Sequence, residues 1–253
     1  MSSVNVLHET RARRFISRLW FLPAVISAAI IAVSVALSFS PTSLSIIGMR
    51  RVNIALYYSV ISFAASGLFV LSIIFHYEGS SSGTKEIAIV GTLAALSAAS
   101  RLVIPIPNFK PCTFLIVISG YVFGPEAGVM IGVLTPAISN MFLGQGPWTV
   151  WQMLMWSVAG WSGGAIRKRF GNVSIETLSA YNFAWGFIFG MPLDFFTWLS
   201  YNGEAPLIPI MVAGIPFNIV DAVGNLIFTI LLGSYTIKIL ERYRDRFRVK
   251  YTD

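Results

Sequence analysis

Apolar residues in this chain come in long runs, not in the strict alternation of a half-buried strand or the one-sided stripe of a surface helix. The runs cover residues 19–39, 52–75, 87–104, 112–123, 127–143, 148–166, 178–199 and 209 to about 240. About 20 apolar residues cross a bilayer core, and the apolar character passes most of the way round each segment, as it does in helices facing lipid or one another. The pattern predicts an all-α, polytopic integral membrane protein of eight spans. A Ser/Gly stretch at 79–83 reads as a linker, so the spans divide two plus six. The expected organisation is a basic amino terminus with two accessory helices and the linker (1–84), a six-helix core (85–240), and a basic tail (241–253).

Composition agrees with that reading. Of 253 residues, 55% are hydrophobic and 11% charged, with a mean hydropathy of +0.72. A soluble domain carries roughly 25% charged residues, so a water-soluble globule is excluded. Eighteen Lys+Arg against 11 Asp+Glu give a formal charge of +7, and the distribution of the basic residues sets orientation. With both termini cytoplasmic, Arg11, Arg13, Arg14, Arg18, Lys85, Arg167, Lys168, Arg169 and the six basic residues from Lys238 to Lys250 lie inside, 14 of the 18. Arg50, Arg51 and Lys110 fall outside, and Arg101 falls within a helix. The first run is longer than the 7–15 apolar residues of a signal peptide, which favours a retained span. A basic tail directly after a span reads as a segment drawn to anionic lipid; no nucleic-acid partner is expected.

Polar side chains inside the runs carry the functional signal, because each is costly in lipid and marks a cavity or a partner. In this orientation Arg101, Asn140, Trp148, Trp151, Gln152, Asp194 and Trp198 lie toward the outer ends of their spans. Asn218, Asp221 and Asn225 occupy the outer half of the last one, spaced i, i+3 and i+7 and so on one helical face. The segment from Pro105 to Pro111, with Asn108 and Lys110, cannot be helical throughout. The apolar run after it is too short to cross a bilayer, so this segment is expected to dip below the surface, which irregular backbone tolerates where it lines a cavity. The sum is a pocket open to the outside and closed below. A plainer reading has Arg101, Asp194 and Asp221 pair with one another to hold the bundle together.

Enzyme motifs are missing: no HExxH, GxSxG, paired-aspartate phosphotransferase motif or Walker A loop occurs, and no enzyme activity is expected. An intramembrane enzyme would need Asp194 and Asp221 to face each other. One Cys excludes an internal disulfide, and two distant His residues argue against a metal site; no cofactor is expected. An autonomous ion-coupled carrier using Asp194 or Asp221 is the alternative function. Without a nucleotide-binding motif, any ATP-driven role must borrow its ATPase.

In the third run Ala94 and Ala98 are four residues apart, as are Ala95 and Ala99, and such small-residue stripes admit a second helix closely, whether from a partner or from within the monomer's own bundle. The stretch Leu93–Arg101, followed by Pro107–Pro111, resembles the substrate-binding S components of energy-coupling factor (ECF) transporters. So do Phe123–Gly128 and Ser139–Met153. The similarity spans roughly Lys85 to Leu240, and the branch most resembled is the cobalamin-type one. The resemblance implies a six-helix membrane protein that captures a vitamin from outside, with cobalamin the leading ligand. It further implies docking on a separate module of one transmembrane coupling protein and two ATPases, with toppling of the S component carrying substrate inward. It places the docking stripe at Ala94, Ala95, Ala98 and Ala99, and a pocket at the outer loops and helix ends, where Asn108, Lys110, Asn140, Trp148, Trp151 and Gln152 fall. On this reading Trp148, Trp151 and Trp198 shape a ring-binding wall. Asn108, Asn140, Gln152, Asn218 and Asp221 hydrogen-bond the ligand, and Lys110 and Arg101 pair with an anionic group.

Overall fold

The computed structural model describes residues 84–146, 148–200 and 205–248, together with 64, 67, 68 and 71. The chain clusters into two units, Met1–Gly83 with Leu199–Gly203, and Thr84–Trp198 with Glu204–Asp253. The two amino-terminal spans and the linker expected from the sequence lie almost wholly outside the described residues. The second unit is all-helical among the described residues: α1 (Thr84–Val103), α2 (Cys112–Phe123), α3 (Pro125–Leu143), α4 (Trp148–Phe170), α5 (Ile175–Ser200) and α6 (Leu207–Arg248). Each of the six core runs becomes a helix, extended by a few residues where polar ends carry on the last turns. By length and apolar composition alone, two described helices suffice to cross a membrane, Pro125–Leu143 and Leu207–Arg246. The others are too short, like α2, or carry too many polar residues. The 42 residues of α6 span about 63 Å at 1.5 Å each. The helix therefore continues through the basic residues to Arg248 without a break where the tail was expected.

Glycine spacing sets how closely the helices approach. In α3 and α4, Gly128 lies against the backbone of Gly160, Gly132 against that of Trp156, and Gly164 against that of Gly124 and Pro125; Gly120 of α2 meets the same Gly160 carbonyl. A Cβ at any of these positions would run into neighbouring main chain. This is the small-xxx-small mode of membrane helix packing, carried by Gly128/Gly132 on one helix and Gly160/Gly164 on the other. The α2–α3 corner turns at Gly124, whose φ of 103° lies in a region that other residues rarely adopt. Pro125 then starts α3, where its missing N–H costs nothing.

Helices α5 and α6 pair antiparallel by the same device. Gly233 packs on Ile175, Gly186 on Ala222, Gly190 on Asn218, and Gly214 on Asp194. Toward the basic end, Phe114, Ile118, Tyr121, Val122 and Leu178 form a buried core. Beneath it Arg167 donates to the Tyr121 hydroxyl at 3.0 Å and to Glu241 at 2.8 Å, tying α2, α4 and α6 together.

The alanine stripe of α1 divides between two faces. Ala94 (0% exposed) and Ala98 (2%) point into the bundle with Val90, Ser97 and Arg101, whereas Gly91, Ala95, Leu96 and Ala99 face out.

Candidate functional site

At the end of the unit remote from Arg167–Arg169, the bundle holds a half-open cavity of about 380 Å³. Its walls come from α1, the 104–111 loop, and the facing ends of α2, α4, α5 and α6. The loop is drawn down into the bundle. Asn108 takes a left-handed conformation with φ 59°, which Asn tolerates better than most residues, and its amide donates to the Phe217 carbonyl at 3.4 Å. Next to it, Phe109 packs over Gly224 and against Phe228, ring centroids 5.1 Å apart. Helix α2 therefore starts deep: Ser97 of α1 donates to the Cys112 carbonyl, and Trp156 of α4 donates to Thr113. The shortness of α2 and the descent of the loop are one fact.

Seven of the twelve residues expected to bind substrate line the cavity: Arg101, Asn108, Lys110, Gln152, Asp194, Asn218 and Asp221. Arg101 does not pair with either acid. Its guanidinium donates to Ser139 and, at 2.8 Å, to the Asn140 amide oxygen, and it lies 4.7 Å over the Trp156 ring. Asn140 passes the network on, donating to Gln152 at 2.8 Å and to Thr149 at 2.9 Å. Across the cavity Asn218 donates to Asp194 at 2.8 Å. The ion pairs among the described residues, Arg167–Glu241 and Arg244–Asp245, lie elsewhere. Arg101, Asp194 and Asp221 are thus not a mutual bundle-holding set. Lys110 donates to the Arg101 carbonyl; partial burial, and then the neighbouring Arg101 cation, hold its ammonium below the ordinary lysine value.

Five expected residues fall away from the wall. Asn140 sits behind it, fixing Arg101 and Gln152. Trp148 is 43% exposed and folds over Gly146. Trp151 is buried against Phe196, centroids 5.6 Å apart. Trp198 donates to the Ala205 carbonyl at 3.0 Å and packs on Phe195. Asn225 lies wholly buried below the floor. The aromatic surface is supplied instead by Trp156, stacked on Phe189 at 4.5 Å and 20°, with Phe217 opposite. Trp156 lies one turn below Gln152 on the same face of α4, which is the one signal by which the sequence marks it.

Cations from α1 and the loop face carboxylates from α5 and α6 across an aromatic floor, with carboxamides at both sides. Such a site suits a flat ring system carrying donors on one edge and acceptors on the other.

Residues 81–238 match the family model described as ECF-type riboflavin transporter, S component. The resemblance to S components thus holds, but the match is not to the cobalamin-type branch, and that part of the expectation is corrected. The cavity volume lies near the lower end of the roughly 300–1,000 Å³ of small-molecule sites. No solved structure matches the chain.

Proposed function

The chain belongs to the ECF-type riboflavin transporter S-component family, a family of membrane-integral transporter subunits and not of enzymes, and on that premise we propose that it captures riboflavin or a closely similar flat heteroaromatic nutrient. The observation that carries the reading is the cavity itself, with a stacked Trp156–Phe189 floor and hydrogen-bonding groups converging from four helices and a descending loop. The ring would lie along the Trp156–Phe189 surface. Gln152 and Asn218 would meet its polar edges, and Arg101 and Lys110 would take its electron-rich oxygens.

We place the cavity on the outer side, both termini in the cytoplasm, and two further spans ahead of the six-helix core. Delivery inward then falls to a coupling protein and ATPases. The outward-facing small residues Gly91, Ala95 and Ala99 of α1 are the surface we assign to docking, because a helix can approach closely only where side chains are small. Uptake of labelled riboflavin by cells making the full chain tests this reading. Accumulation that needs the coupling protein and ATP hydrolysis is expected. Accumulation by the chain alone in liposomes, driven by a proton or sodium gradient, would instead establish an ion-coupled carrier built on Asp194 or Asp221.

A further inference from the structure

Below the aromatic floor lies a second set of polar groups that the outer cavity does not use. Asn182 of α5 and Asn225 of α6 are both 0% exposed, and neither the amide nitrogen nor the oxygen of either finds a hydrogen-bond partner. The indole N–H of Trp185, on the same helix as Asn182, is likewise buried and unpartnered. The antiparallel register that sets Gly186 on Ala222 and Gly190 on Asn218 brings Asn182 level with Leu226, one residue from Asn225. On α5, Asn182 and Trp185 fall seven and four residues before Phe189, so all three share the helix face that reaches the cavity floor. On α6, Asn225 follows Asp221, a cavity residue, by one turn. The Asp221 carboxyl acts on the Asn225 amide from that position, so Asn182 and Trp185 are the groups wholly without a partner.

Buried polar groups in native proteins are nearly always hydrogen-bonded, and unpaired ones at one level call for a partner from outside the chain. We propose that Asn182, Trp185 and Asn225 form an inner subsite that receives the deepest polar edge of the bound solute. Two carboxamides and an indole N–H offer donors and acceptors but no charge. The matching chemistry is a neutral group with both functions, such as a cyclic imide or ureide, and not a carboxylate or phosphate. This inference rests on the reading that the cavity above holds the solute.

The test uses the full-length protein, purified in detergent, with Asn182→Leu and Asn225→Leu as variants of similar size lacking the polar atoms. Riboflavin is titrated into each, and each is melted without ligand. The subsite predicts that the Kd for riboflavin rises at least tenfold in both variants while the melting temperature of the unliganded protein holds or rises. A change in Kd of less than threefold would overturn it. So would a melting temperature several degrees lower, which would mean that the amides are bonded within the bundle. If the unaltered protein itself does not bind riboflavin, the flavin reading fails, and the same titrations are run with uracil, a free cyclic imide: binding weakened in both variants supports the subsite, and binding equal to the parent's, or none, overturns it.

Discussion

Arg101 is a cation in an apolar bundle, yet its partners are a hydroxyl, a carboxamide oxygen and the face of an indole. Neutral partners leave its charge available to a ligand, where a carboxylate would have cancelled it. If the cavity holds the solute, Asn140 is a positioning residue, holding Arg101 with one end of its amide and Gln152 with the other. Asn140→Leu removes both bonds. Hydrogen bonds to charged groups contribute about 1.5–3 kcal/mol, so riboflavin affinity should fall roughly tenfold or more, as read by titration of the purified variant. At this scale the sequence is most legible where a polar residue interrupts an apolar run, and Arg101, Gln152, Asp194, Asn218 and Asp221 stand out for that reason. Trp156 and Phe189 give no such contrast among apolar neighbours. Trp148, Trp151 and Trp198 attract attention at the helix ends, but one lies on the surface and two are used in packing.

Helix positions were readable from run length and from Gly and Pro, whereas helix rotation was not. Lipid and protein interior are both apolar, so hydropathy does not say which face of a span turns inward. The α1 stripe shows the consequence: of alanines one residue apart, equivalent by composition, one is buried in the bundle and the other exposed on its surface. Ala98→Trp should therefore disrupt folding, whereas Ala95→Trp should leave riboflavin affinity within about twofold and abolish co-purification with the coupling protein, if close approach there carries docking. Co-purification that survives Ala95→Trp would count against this docking face. The glycines of α3 and α4 are the more demanding contacts. Gly160→Val would drive a branched side chain into the Gly128 main chain. Overpacking costs about 1–3 kcal/mol or more, so a drop in melting temperature of about 5 °C or more is expected, whether or not ligand is present.

Across the whole unit, polarity is distributed by end. The cavity with its carboxamides, cations and acids occupies one end; the Tyr121–Arg167–Glu241 cluster and the basic stretch of α6 occupy the other, with the buried core of Phe114, Ile118 and Leu178 between them. Polar groups gathered at one end over a buried apolar core suit the substrate-binding subunit of a transporter, which must retain its solute. Retention of that kind requires affinity in the chain alone, before any coupling protein or ATPase is added. The direct measurement is equilibrium titration of the purified, unpartnered protein with riboflavin. A Kd well below micromolar is predicted, and the absence of binding at micromolar riboflavin would contradict the account.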